Sequence, residues 1–213
     1  MKTRDRIIAT ALRLFNEVGY GAVTTAALAD HLGMAEGNLW YHFKTKRALL
    51  DAIGLRYAVA IEARLKLVPQ GDPVAAYVRL LGAIMGELRD FRFLYRDQPA
   101  YGDHAAIIAD HAADWARETY RQLEAHLAAL VSAGLLDLPA ARLPDLAINA
   151  TILLRYGLEH ERERGEATAS GTGAVRRTLL RHLTLFEHAL APQALAELKA
   201  AIEQIEVRTP LAA

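Results

Sequence analysis

Apolar residues along this 213-residue chain return every three or four positions in nearly every segment, and nowhere do they alternate over the length of a strand. That spacing puts side chains on one face of a helix, so the chain is expected to be all-α. With 53% of residues hydrophobic and 23% charged, such helices carry enough apolar surface for a sizeable core.

Turn chemistry sets the boundaries. Thr3 is placed to cap a first helix whose face is Ile7, Ile8, Ala11, Leu12, Phe15 and Val18, with Gly19 and Gly21 at its end. Thr24 caps a short second helix carrying Leu28, Ala29 and Leu32, stopped by Gly33. A third, over 35–42, turns Leu39 and Phe43 inward, and Thr45 opens a long helix to about residue 67. The PQGDP stretch at 69–73 is the clearest boundary, and Asp72 before Pro73 starts the next helix. Residues 89–99 read as an aromatic-rich turn of helix, and long helices are expected over 103–133, 140–160 and 174–190. Residues 161–173, ERERGEATASGTG, read as an exposed, mobile loop, and Pro192 starts a last helix to about residue 207. The expected domains are 1–50 and 51–213.

The net charge of zero conceals a division. Residues 1–50 hold seven Lys or Arg against four Asp or Glu, and the remainder holds 18 against 21. A basic head on an acidic body suits a polyanion at one end only. The absence of cysteine excludes disulfides and thiolate metal sites and fits a reducing cytosol. Lys2, Arg4, Asp5, Arg6 and Arg13 leave no apolar stretch of the signal-peptide kind, and the longest apolar run, 125–136, is interrupted by His126. A membrane helix needs about 20 apolar residues, so a cytoplasmic protein without a membrane partner is expected. Asp103, His104, Asp110, His111 and Asp114 share one expected helix, but only the pairs ending at Asp114 have ligand-aligning separations; neither metal nor cofactor is expected. With no nucleophile elbow and no phosphate-cradling glycine loop, the chain is not expected to be an enzyme.

The stretch GMAEGNLWYHFKTKRALL, residues 33–50, concentrates the chemistry. With Leu39 and Phe43 inward, the four-residue spacing leaves Glu36 over Trp40, Gly37 over Tyr41 and Asn38 over His42 on the outer surface. Large rings outside a small helical unit are costly unless something covers them, and a helix of this length suits a major groove about 12 Å wide. The tight turn Leu32-Gly33-Met34-Ala35 between two short helices has the form of a helix-turn-helix. Gly37 lets the backbone approach a phosphate, Asn38 offers a donor and an acceptor to a base edge, Tyr41 and His42 can bond phosphate, and Lys46 adds charge. The alternatives are an ordinary core helix and, for Lys44, Lys46 and Arg47, a solvated helix start.

Residues 24–53, TTAALADHLGMAEGNLWYHFKTKRALLDAI, with the preceding IIATALRLFNEVGYGAVT, resemble the DNA-binding domain of the TetR family of transcriptional repressors. The resemblance implies that Thr24, Thr25, Tyr41, His42 and Lys46 contact the DNA backbone while Glu36, Gly37, Asn38 and the Trp40 ring face bases. It further implies a homodimer on a palindromic double-stranded operator, a larger helical domain for ligand binding and dimerisation, and a cavity in that body for a small, largely apolar effector. Ala35 stands where relatives often have a capping Ser or Thr, and no Arg stands near Ala26 to read guanine.

In the body, an effector cavity is expected among Met85, Phe93, Trp115, Tyr120 and Tyr156, with His111, Arg155 or His160 as polar members, though ordinary core packing is the alternative for each. The apolar stripes Leu146, Ile148, Ile152, Leu153 and Leu179, Leu183, Phe186, Leu190 are expected to pair with their symmetry mates in a four-helix dimer interface; burial inside one subunit is the alternative.

Overall fold

Eleven α-helices follow one another in the computed structural model, which describes residues 2–102, 105–169 and 171–205. They are α1 (Thr3–Val18), α2 (Thr25–His31), α3 (Glu36–His42), α4 (Lys46–Leu65), α5 (Pro73–Asp90), α6 (Arg92–Arg96), α7 (Gln98–Tyr101), α8 (Ala106–Ser132), α9 (Leu143–Glu163), α10 (Ala174–Leu183) and α11 (Pro192–Glu203). No strand forms among the described residues, and no described helix is long and apolar enough to cross a membrane. The chain is all-α, as its periodicity requires. It divides into two compact units, Met1–Glu62 with Asp90–Ala113 and Ala63–Arg89 with Asp114–Ala213.

In the first unit, Lys2 rather than Thr3 is the residue preceding α1, and no side chain caps it; Thr3 is already helical. The buried face is Ile7, Ile8, Ala11, Leu14 and Phe15, while Val18 is exposed, because the helix ends there and Gly19, at φ +98°, turns the chain away. The segment 90–101 closes over this end. The Asn16 side chain donates to the Asp90 carbonyl (2.7 Å) and accepts from the Phe93 amide (2.9 Å), and Arg96 donates to the Phe15 carbonyl (2.7 Å). The first satisfies the last-turn Asp90 carbonyl of α5 and the second a first-turn amide of α6, groups that helix ends otherwise leave orphaned, while the third adds a donor to a carbonyl that the Gly19 amide already bonds. The Phe93 ring lies 5.2 Å from that of Phe15 and 6.5 Å from those of Tyr20 and Tyr101.

In the second unit, α5 starts as Asp72 and Pro73 foretell, with the Asp72 carboxylate accepting from the Ala75 amide at 2.6 Å. Its buried face includes Tyr77, Leu80, Leu81, Ile84 and Met85. A charged network lies inside: the buried Arg64 guanidinium donates to Glu87 (2.8 Å), Gln122 (2.7 Å) and Thr119 (3.0 Å), so every face of a fork that would otherwise be costly to bury has a partner. α9 and α10 pack closely enough that Gly157 meets Thr178.

Two expectations for this unit are corrected. The exposed loop at 161–173 begins later, because α9 runs to Glu163 and the buried Glu161 carboxylate holds Arg177 (2.6 Å) and Arg181 of α10. The helix expected over 174–190 ends at Leu183, and Leu190 is extended. Backbone pairing draws it there: the Asp137 amide donates to the Ala189 carbonyl (2.8 Å) and the Ala191 amide to that of Leu135 (2.9 Å), around a bridge between Leu136 and Leu190.

Candidate nucleic-acid interface

Local chemistry shapes the head. Thr24 is extended, and its hydroxyl oxygen accepts from the Ala27 amide (3.1 Å), capping α2. After His31 the Gly33 amide bonds the Asp30 carbonyl (2.9 Å) and the Met34 amide that of Ala29 (3.0 Å), with Gly33 at φ +62°. This left-handed glycine closes the helix end and lets α3 set off in a new direction after two residues. α3 has seven residues, about 10 Å of helix, and its Ala35 cap supplies no side-chain bond. Such a helix is held by its neighbours. Leu39 and Phe43 are buried, and the Arg4 guanidinium lies 4.8 Å from the Phe43 ring centroid.

With those two inward, Glu36, Gly37, Asn38 and Tyr41 are exposed, Tyr41 to 79% of its surface, and Trp40 and His42 are half-buried. A Cβ on Gly37 would meet nothing within 4 Å, so its backbone faces open space. The rings of Tyr41 and His42 stand 5.4 Å apart, edge to face. The start of α2 joins this surface through Thr25, whose hydroxyl donates to Glu36 at 2.7 Å. Eight of the nine residues expected at DNA are thus gathered along the start of α2 and the length of α3.

Lys46 is the ninth, and it turns the other way. Its ammonium donates to the Tyr20 carbonyl and lies 4.1 Å from the Tyr20 ring centroid and 5.6 Å from that of Phe15. Burial lowers its pKa from the ordinary lysine value. The exposed cations of the head are instead Lys2, Arg4, Arg6, Arg13 (which pairs with Glu17), Lys44 and Arg47. The KTKR run at 44–47 signals the last two, but not which lysine turns inward.

The residues expected around an effector are divided. Phe93 and His111 belong to the first unit and Met85, Trp115, Tyr120, Arg155, Tyr156 and His160 to the second. Phe93 is enclosed by the rings of Phe15, Tyr20 and Tyr101, and Met85 is fully buried. Trp115, Tyr120 and His160 are half-buried, whereas His111, Arg155 and Tyr156 are exposed. Asp103 and His104 lie outside the described residues.

The two stripes expected at a dimer interface also part company. Leu146, Leu179, Leu183, Phe186 and Leu190 are buried within the chain itself, Leu153 is half-buried, and Ile148 and Ile152 are exposed. The α10 stripe is therefore core of its own subunit, and Phe186 and Leu190 lie beyond the helix end.

Two short helices about a glycine turn, the second with an uncovered polar and aromatic side, on a chain otherwise built of helices, define a helix-turn-helix regulator architecture. Residues 7–53 match the model for bacterial regulatory proteins of the tetR family, and residues 56–198 match that for a bacterial transcriptional repressor of the same family. The chain belongs to the TetR family of bacterial transcriptional regulators, which are not enzymes. It is 52% identical over 50 residues to the class C tetracycline repressor protein of Escherichia coli, covering 24% of this chain and 23% of that one. To the class A tetracycline repressor from transposon 1721 of Escherichia coli it is 38% identical over 96 residues, 44% of this chain and 41% of the other. The chain thus spans well under half the length of these curated relatives. Among solved structures, a TetR-family transcriptional regulator from Marinobacter aquaeolei VT8 superposes with a TM-score of 0.76 at 23% identity, over 96% of this chain and 99% of that one, a likeness of fold.

Proposed function

We propose that this chain is a ligand-responsive repressor that binds a palindromic DNA operator as a homodimer and is released by a small, largely apolar effector. The observation that carries the reading is the outer side of α3: Tyr41 is 79% exposed beside exposed Glu36, Gly37 and Asn38, on a helix whose Leu39 is buried. An aromatic side chain left so open at a helix-turn-helix is suited to a duplex. In this reading Thr24, Tyr41 and His42 bond the phosphate backbone, and Glu36, Gly37, Asn38 and Trp40 face base edges. The DNA-binding domain is residues 1–50 and the ligand-binding and dimerisation domain 51–213.

Two heads in successive major grooves read half-sites about one helical turn, roughly 34 Å, apart. The effector acts by binding more tightly to a state in which the heads are wrongly spaced. Trp115, Tyr120 and His160, half-buried in the second unit, are our candidates for its apolar and polar contacts. α4 is the element suited to carry the change, since its residues fall in both units.

Selection from a random duplex pool, followed by binding of the selected site at rising salt, tests the reading. A palindrome should be recovered, and log affinity should fall linearly with log salt. Binding that ignores both duplex and salt would replace it with a protein-binding head.

A further inference from the structure

The α3 surface carries one carboxylate, and its surroundings are unusual for a face meant to lie against phosphates. Glu36 is exposed, and its one hydrogen bond among the described residues comes from the Thr25 hydroxyl, Oγ1 to Oε1, at 2.7 Å. No Lys or Arg pairs with it among the described residues. The two residues are the first of α2 and the first of α3, and the turn at Gly33 brings them together across eleven positions.

An ionised carboxylate only accepts hydrogen bonds. Against a duplex it is repelled by phosphate, so its presence is offset only where a base edge supplies a donor. In the major groove guanine offers two acceptors, thymine an acceptor and a methyl group, and adenine an amino group beside the N7 acceptor. Cytosine offers its N4 amino group with no acceptor alongside. Thr25 spends its single hydroxyl proton on Oε1, which leaves Oε2 free and removes one rotational freedom from a flexible side chain.

We infer that Thr25 and Glu36 form a cytosine-selecting pair: Glu36 Oε2 accepts from cytosine N4 at one position of each half-site, and Thr25 is the positioning residue that aims it. Thr25 then serves specificity rather than the phosphate contact that the family resemblance implies for it. The inference rests on the DNA-binding reading above.

The test uses the full chain, with site selection from a random duplex pool and fluorescence anisotropy on duplexes differing at single base pairs. Wild type is expected to prefer cytosine at one position per half-site by about five- to tenfold, a discrimination within the range for a single base contact. Glu36→Gln, which keeps the shape and adds a donor, should shift that position toward adenine and tighten binding to unrelated DNA, because a charge facing phosphate has gone. Thr25→Val should reduce the cytosine preference about threefold, and Thr25→Ser should restore it. Both sites are at the surface, and thermal melts of the variants establish that they fold. A wild type that selects a palindrome, with Glu36→Gln retaining the same base preference at every position, overturns the pair and leaves the DNA-binding reading standing. A wild type with no duplex affinity at all overturns both.

Discussion

The ammonium of Lys46 lies 4.1 Å from the centre of the Tyr20 ring and donates to the carbonyl of the same residue. One side chain at the start of α4 thereby ties that helix to the turn after α1. A lysine expected at DNA is engaged inside its own unit, and the exposed cations Lys44 and Arg47 flank it. Replacing Lys46 with Met keeps the apolar stem and removes the charge. The expected result is a loss of about 1–2 kcal/mol of stability, from the cation–π contact and the charged hydrogen bond. The salt slope of DNA binding should change by less than one phosphate contact. A slope smaller by about 1, with stability intact, would return Lys46 to the DNA backbone.

Gly157 tests the close approach of α9 and α10. A Cβ built there would lie 2.3 Å from Thr178 Cγ2, and the buried Thr178 hydroxyl has no hydrogen-bond partner among the described residues. Gly157→Ala should therefore destabilise the second unit by about 1–3 kcal/mol despite alanine's higher helix propensity. Adding Thr178→Ala should recover most of that loss, because it removes both the clashing methyl and an unsatisfied polar atom. Chemical unfolding of the two single variants and the double reads the coupling directly. Additive losses would place the strain elsewhere.

What was legible beforehand was what neighbouring residues decide among themselves. The Thr24 cap, the Gly33 turn, the inward pair Leu39 and Phe43, and the Asp72–Pro73 start each rest on chemistry within a few positions, and each is found. The Thr3 cap is a local expectation that fails, since Lys2 precedes α1 and no side chain caps it, but the larger departures have the opposite cause. The helix that stops at Leu183 is interrupted by pairing of Leu135 and Asp137 with residues some fifty positions later, which no periodicity encodes. Arg64 finds Glu87 and Gln122 across separations of 23 and 58 residues, and the Thr25–Glu36 bond exists only once the turn has formed. The α10 stripe was visible as apolar, but an apolar stripe does not say whether it faces its own core or a partner.

His182 gives the second unit a pH dependence. It is fully buried, its Nε2 lies 2.6 Å from the Tyr77 hydroxyl, and burial pushes its pKa from 6.5 down to about 3. Above pH 6.5 the imidazole is neutral in both folded and unfolded chains and contributes no slope. Between there and about 3 the unfolded chain takes up a proton that the folded chain refuses, so stability falls as pH falls, by about 1.4 kcal/mol per unit. Burial lowers His126 in the same direction. From about pH 6.5 to 5 the wild type should lose about 2 kcal/mol through His182. His182→Gln should flatten that slope by close to one proton in urea unfolding followed across the range, and an unchanged slope would mean that His182 is not the group responsible.

The proposed homodimer is predicted to meet across one helix face. On α9, Leu146, Ala147, Ala150, Leu154 and Leu158 are buried within the chain, while Ile148, Ile152 and Tyr156, four residues apart, are exposed to 39%, 60% and 50%. Three large apolar side chains in line on a helix are an uncommon feature to leave in water, and a second copy applied by a two-fold axis would cover them reciprocally. Ile152→Glu places a charge in the middle of that line. Sedimentation at micromolar concentration should show wild type as a dimer and this variant as a monomer with its helical spectrum intact. Leu179→Ala supplies the contrast, because Leu179 is fully buried inside its own subunit. It should cost about 2–5 kcal/mol of stability through the cavity it leaves, while any folded fraction remains dimeric. If Leu179→Ala dissociates the subunits and Ile152→Glu does not, the partner sits on α10 and the exposed α9 line has another purpose.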